Sequence, residues 1–310
     1  HADVDEAQYD KDKVRFEVRA KDTQDWTPVT AVRESEGTFS AEINGLSPST
    51  TYEYRLVLTS LESGAEEILA APSDVTTDKA VPVPNGGFET TSNDESSKYK
   101  SFYDPASSDP TLQKQWWGNG NEGATLVGQG SVICYPDASA YKEGSQSVCL
   151  QSRWVVVKFA AGNLFSGHFG DLIGTSGGTV YFGRPFTARP TALRFWMKYS
   201  GGVINRDSNN VPEDGKKGNY DKASIRIALG TWDYRRYGGD ADSPGLVNTT
   251  DVSTFVDFST DNSTIAFGEK IVPSDDSNPA KDWIQVTLPL EYRSLTTYPT
   301  HIIISCAASM

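Results

Sequence analysis

The chain has 310 residues, a net charge of −13 and 37% apolar residues. That charge balance makes a nucleic-acid duplex or an anionic membrane surface a poor partner, because phosphate binding needs clustered Lys and Arg. No run of about 18 apolar residues offers a membrane span, helical periodicity is almost absent, and the strand signals are short and bounded by turn residues. The charge is uneven: residues 1–80 hold 8 basic against 17 acidic groups, so the two parts read as different modules.

After an acidic lead, Val14 to Ala20 (VRFEVRA) alternates, with Val14, Phe16, Val18 and Ala20 on one face and Arg15, Glu17 and Arg19 on the other. Thr38 to Ile43 repeats the pattern through Phe39, Ala41 and Ile43. The following GLSPSTTYEYRLVL resembles the turn and strand of fibronectin type III and related immunoglobulin-like sandwiches, with Tyr52 at the tyrosine-corner position and Tyr54, Leu56 and Leu58 continuing the core face. Little room precedes Val14, so this domain is expected to be truncated or atypical. Residues 78–84 (DKAVPVP) form a semi-rigid, extended linker.

Asn85-Gly86-Gly87-Phe88-Glu89 then resembles the opening strand of jelly-roll carbohydrate-binding modules. In such folds a structural calcium sits near this strand, and Glu89 is the side chain that would serve. Calcium takes about six to eight oxygens, and a plain surface Glu behind a buried Phe88 fits the pattern as well.

Residues 90–114 read as a polar loop covering an edge. Trp116 and Trp117 are adjacent, so on a strand one indole enters the core and the other meets solvent, where a sugar ring can stack. Cys134 and Cys149 lie on neighbouring strand-like runs. They are either bridged, closing a loop of roughly 15 residues worth about 3 kcal/mol, or buried as free thiols. Trp154 to Phe159 (WVVVKF) is continuous and apolar, which predicts a strand covered on both faces. Leu193, Phe195, Met197 and Tyr199 give an apolar face, opposite one carrying Arg194, Trp196 and Lys198, which suits a solvated aromatic platform or an indole under long basic stems. Ile225, Ile227 and Leu229 mark a further half-buried strand.

The segment 231–240 packs Trp232, Asp233, Tyr234, Arg235 and Tyr237 together, supplying stacking rings and bidentate groups suited to a polyhydroxylated ligand or to a loop held by its own Arg–Asp pairs. The chain closes with WIQVTLPL from Trp283, facing Ile284, Val286 and Leu288 inward, and with the buried run HIIISC from His301. Its abrupt end suggests a final strand beyond this numbering.

Three motifs in order carry a family signal: KFAAGNLFSG from Lys158, FGRPFT from Phe182 with RPTAL from Arg189, and WIQVTLPLEY from Trp283. Across about 83–309 the chain resembles the "putative carbohydrate metabolism domain" of exported lipoproteins of gut bacteria. The resemblance implies a jelly-roll β-sandwich, glycan handling and an outer-surface or periplasmic location, with any membrane attachment through a lipid anchor outside this segment. The expected architecture is therefore all-β, an immunoglobulin/fibronectin-like sandwich over 1–80 and a larger jelly-roll β-sandwich over 81–310. The Lys158–Pro190 stretch, with a turn at Arg184-Pro185, reads chiefly as the architectural signature of that second sandwich.

The favoured reading is a non-catalytic module that binds a polysaccharide or oligosaccharide through Trp116, Trp117, Trp196, Trp232, Tyr234 and Tyr237, with Asn163, Arg189, Asp233 and Arg235 as polar partners. The alternative is a glycoside hydrolase or lyase. Asp233, Glu122 and Glu269 are its possible carboxyl members, which would have to stand about 5–9.5 Å apart. His168 and His301 have no Ser or Cys at a nucleophile elbow. A further alternative is a surface assembly or adhesion subunit.

Overall fold

The alternation in Val14–Ala20 is realised in three dimensions. In the computed structural model, which describes all residues except 44–45, 94–97, 104–115, 128, 156–157 and 207–212, Val14, Phe16 and Val18 are buried. The chain divides into two units, His1–Val81 and Pro82–Met310, with the boundary inside the predicted linker.

In the first unit the strands are β1 (Ala2–Asp3), β2 (Arg15–Ala20), β3 (Thr27–Thr30), β4 (Val32–Ser35), β5 (Thr38–Ser40), β6 (Thr51–Thr59), β7 (Glu66–Glu67) and β8 (Ser73–Thr76). They make one sheet ordered β1-β5-β4 and another ordered β3-β2-β6-β7, with β8 also on β6. Val4, Val14, Phe39 and Leu58 form the core between them. The Ser47 N–H donates to the Tyr52 hydroxyl at 2.9 Å, the tyrosine-corner bond that the sequence suggests. Two details differ from the alternation. Tyr54 is exposed, so the inward face resumes only at Leu56 and Leu58. Glu17, on the polar face, is buried because Arg15 and Arg55 close over its two oxygens at 3.1 and 2.8 Å.

The second unit begins with β9 (Thr91–Asn93), β10 (Lys100–Phe102), β11 (Trp117–Gly118), β12 (Cys134–Asp137), β13 (Ser147–Leu150), β14 (Arg153–Val155) and β15 (Lys158–Ala160). It continues with β16 (Asn163–Ile173), β17 (Gly177–Phe182), β18 (Arg184–Pro185), β19 (Ala192–Met197), β20 (Lys222–Gly230) and β21 (Gly245–Asn248). The last strands are β22 (Thr264–Pro273), β23 (Ile284–Pro289), β24 (Glu291–Tyr292) and β25 (His301–Ala307). Among the described residues two one-turn helices intervene, α1 (Asn121–Ala124) and α2 (Tyr234–Tyr237).

The main sheet runs β24-β22-β20-β25-β16-β11-β10-β9, with β17, β18 and β21 attached. One face of it, carrying Ile225, Ile227, Leu229, Ile302 and Ile304, packs against Leu193, Phe195, Met197, Val286 and Leu288 of the β19–β23 ribbon. The other face carries Ala228 and Ile303 into a second cluster with Trp232, Phe182 and Phe258. This is why HIIISC has no polar alternation: successive isoleucines enter different apolar layers. The whole is the β-sandwich that the resemblance implies.

Three segment expectations change. Trp154–Phe159 is not one doubly covered strand. It divides between β14 and β15, which pair only with each other, and Trp154 and Phe159 are exposed. The predicted 90–114 loop contains β9 and β10, and its other residues partly lie outside those described. Arg184-Pro185 is a short strand on β25 rather than a free turn, and Arg184 is fully buried. No helix among the described residues is long and apolar enough to cross a membrane.

Candidate functional site

The indoles separate by burial. Trp116 and Trp117 are both in the main core, 4% and 3% exposed, with ring centroids 4.8 Å apart, so neither meets solvent as the strand argument predicts. The reason is local. β11 is only two residues long, and Trp117 Nε1 donates to the Pro84 carbonyl at 3.1 Å while its ring packs on Phe88. Gly118 leaves room for the Phe165 ring where any Cβ would collide with it. Trp232 is likewise buried, edge-on to Phe258 at 5.4 Å, with a buried Nε1 that has no hydrogen-bond partner. These three rings are core, not platform.

The rest of the 231–240 segment forms the surface turn α2. Asp233 caps it, its Oδ1 accepting the Arg235 N–H at 3.0 Å. Arg235 lies 5.3 Å from the Tyr234 ring centroid, both exposed. Tyr237 is tied inward, its hydroxyl 2.8 Å from Asp261 Oδ1 and 2.9 Å from Ser263 Oγ. Burial, together with the Asp261 carboxylate, raises its pKa above the usual tyrosine value. Of the acids weighed for catalysis, Asp233 is spent on its cap and Glu269 pairs with Arg226 at 2.5 Å across the β20–β22 register. Glu122 stands apart from both in sequence and element, in the first turn of α1.

Trp196 is the tryptophan of the predicted set that reaches the surface. It is half-buried on β19, directly opposite Gln285 of β23, while Arg194 stands opposite Thr287. Arg194, Lys198, Gln285 and Thr287 are exposed around it, so the outward face of the ribbon is an aromatic ring set among donors and acceptors. The loop between β12 and β13 leans on this face. Trp196 Nε1 donates to Glu143 Oε1 at 2.9 Å, and Lys142 Nζ lies 4.9 Å from the ring centroid. The indole is thus held in one orientation by a carboxylate, with a flexible lysine over it.

The remaining predicted residues are locally engaged. Asn163 donates from Nδ2 to the Ala161 carbonyl at 2.9 Å. Arg189 lies between Tyr292 and Tyr298, 5.0 and 5.6 Å from their centroids, and donates to the Ser294 carbonyl at 2.8 Å and to the Leu295 carbonyl. Its donors hold the 294–298 turn. Glu89 accepts from the Ser145 N–H at 3.0 Å and the Ser145 hydroxyl at 2.5 Å, bonds that hold its carboxyl below the usual range. With both oxygens so used, and no group of three His, Cys, Asp or Glu gathered among the described residues, Glu89 does not fit a calcium site. Cys134 and Cys149 are free thiols. The β12–β13 register sets Cys149 opposite Tyr135 and Cys134 opposite Leu150, which turns neighbouring thiols to opposite faces of the ribbon.

Two features escape sequence reasoning. Arg184 is fully buried, donating to the Trp116 carbonyl at 3.2 Å, the Gly167 carbonyl at 2.7 Å and the Ser243 hydroxyl. It pins the Trp116 strand and the 243 turn to the Lys158–Pro190 region, as that region's architectural reading requires. Beside it His168 stacks on Tyr181 at 4.6 Å, with Nε2 3.6 Å from Asp240 Oδ2. His301 is held by Thr300 and the Ala241 carbonyl at 2.8 and 2.9 Å, a structural role. The second feature is the exposed Trp154–Phe159 pair. Its only sequence signal is the pair of charges, Arg153 and Lys158, that precede each ring.

A two-layer sandwich whose smaller ribbon presents a ring among polar side chains belongs to the jelly-roll class. The chain matches the family described as "putative carbohydrate metabolism domain" over residues 87–310, and it belongs to that family. Two solved structures are similar to it. One, described as a putative glycoside hydrolase from Bacteroides thetaiotaomicron VPI-5482, has 19% identity and a TM-score of 0.52, covering 92% of this chain and 78% of that one. The other, described as a putative glycoside hydrolase from Bacteroides vulgatus ATCC 8482, has 13% identity and a TM-score of 0.42, covering 72% of this chain and 87% of that one. Comparison with curated proteins gives no match.

Proposed function

We propose that the larger unit binds a polysaccharide without cleaving it, through the outward face of the β19–β23 ribbon. The observation that carries this reading is the setting of Trp196: a half-buried ring, fixed by its bond to Glu143, on a face otherwise made of Arg194, Lys198, Gln285 and Thr287. A sugar ring offers an apolar C–H face for the indole and hydroxyls for the surrounding donors and acceptors. The lysine over the ring has a flexible stem and can yield its place to the ligand. We also place this activity outside the cytoplasm, as the resemblance to exported lipoproteins implies; labelling of intact cells would test that location.

Calorimetric titration of the whole chain against a panel of neutral plant and host polysaccharides tests the binding. Trp196→Ala is expected to abolish the heat signal of the ligand that binds, and Gln285→Ala to weaken it. A panel without any binder, or a binder indifferent to both substitutions, would sink the proposal. Release of reducing ends on incubation would overturn its non-catalytic part.

A further inference from the structure

We propose that the β14–β15 hairpin is a second binding site, for a polysaccharide bearing carboxylated sugars. It rests on family membership and not on the Trp196 face.

Trp154 and Phe159 are directly opposite in the hairpin register, their centroids 6.3 Å apart, and they are 45% and 54% exposed. A two-stranded ribbon of three-residue strands gains stability by burying such rings, yet both are left in solvent. Arg206, far away in sequence, lies 4.3 Å from the Trp154 centroid. Arg153 and Lys158 flank the rings on the same two strands.

Five arginines elsewhere are answered by acids: Arg15 by Glu66, Arg19 by Glu53, Arg33 by Glu6, Arg55 by Glu17 and Arg226 by Glu269. At the hairpin, Arg153 donates to the Gly130 carbonyl and the Gln151 side chain, and Lys158 to the Ser176 carbonyl. Among the described residues no carboxylate pairs with Arg153, Lys158 or Arg206. One unanswered guanidinium, Arg206, therefore meets two open rings in a chain of net charge −13, with Arg153 and Lys158 on the other face of the same ribbon. At physiological ionic strength fields decay over about 8 Å, so this local balance outweighs the overall charge at contact distance.

The chemistry that fits is a sugar with one apolar face and one carboxylate. Its C–H face packs on Phe159 and the rim of the indole. Its carboxylate pairs with the Arg206 guanidinium, whose planar fork matches two oxygens.

Affinity electrophoresis of the whole chain in gels containing polygalacturonate, neutral dextran or dextran sulfate tests this directly. Polygalacturonate is expected to retard the protein more than either other polymer, and added salt to reverse the retardation. Phe159→Ala and Arg206→Gln should each weaken it about tenfold, the worth of one stacked or charge-paired contact, while Trp196→Ala leaves it unchanged. Both substitutions fall on exposed side chains, and circular dichroism confirms that each variant is folded. Absence of retardation by polygalacturonate overturns the proposal. So does equal or stronger retardation by dextran sulfate, which would mean simple ion exchange, and so does wild-type retardation of the two variants. Failure of the Trp196 reading shows only with neutral polysaccharides, so the two proposals fail separately.

Discussion

An arginine lies over an indole in both units, and the two settings differ in what surrounds the stack. In the first unit Trp26 is covered by Arg19 and Arg55, 4.4 and 4.1 Å from its centroid. Each of those guanidiniums also meets a carboxylate at 2.6 Å, Glu53 and Glu17 respectively. In the second unit Arg206 covers Trp154 at 4.3 Å with no acid to answer it among the described residues. The contact is the same, but the first stack has used its charge on its own sheet and the second has kept it. A cation–π pair is therefore a poor marker of a site by itself. What marks a site is aromatic area and charge left unspent together.

If that distinction holds, substitutions should divide into those that cost stability and those that cost binding, in order of closure. Trp232 is the closed extreme, 3% exposed in an apolar cluster. Trp232→Ala should cost about 3–5 kcal/mol, as large-to-small changes of buried aromatics do, read from the urea midpoint of the larger unit. Trp232→Phe should cost less, because the indole Nε1 it removes has no partner to lose. A Trp232→Ala variant of native stability that no longer binds glycan would break the comparison. Trp26→Ala comes next. It removes the surface that Arg19 and Arg55 share, and an expected loss of about 1–2 kcal/mol follows from two partly desolvated cation–π contacts. Polysaccharide binding should be untouched, and a change in it would reopen the first unit as a binding surface.

His168 stands between the extremes, stacked on Tyr181 and partly buried beside Arg184. Desolvation, with the Arg184 charge, holds its imidazole below the ordinary value of 6.5, against the opposing pull of Asp240 and Asp242. The folded protein then binds fewer protons than the unfolded chain as the pH falls below that value. The stability carried by the neutral ring is complete above pH 6.5 and is lost as the pH falls through the folded-state value. Thermal melts from neutral to mildly acid pH should show a steeper fall for the wild type than for His168→Phe, which keeps the stack but cannot titrate. Parallel curves would remove His168 from the account.

Much of the framework was legible because it depends on periodicity. The inward sets of β2, β19, β20 and β23 follow from alternation alone, and Tyr52 signals its own corner bond. Burial of individual aromatics was not legible, because it depends on tertiary neighbours. Nothing in WWGNG says that β11 is two residues long or that Pro84 accepts from Trp117. WVVVKF has the composition of a core strand. Its exposure follows from β14 and β15 pairing with each other, which a continuous apolar run cannot reveal. Arg184 was hidden for the opposite reason: an Arg-Pro dipeptide reads as a surface turn, and only the converging carbonyls of Trp116 and Gly167 explain a buried guanidinium.

The smallest stability effect is expected at the open extreme, and it is the sharpest test of the comparison. Trp154 contacts Phe159 and Arg206 and is 45% exposed, so Trp154→Ala removes no core volume. Its cost should stay within about 0.5 kcal/mol, the usual range for surface substitutions, well below that of Trp26→Ala although each indole carries an arginine. Urea titration of the two variants side by side gives the ratio. Equal losses would mean that the hairpin rings are structural and that the two stacks differ in charge alone. A small loss joined to weaker retention by polygalacturonate would establish that the open stack is kept for a ligand.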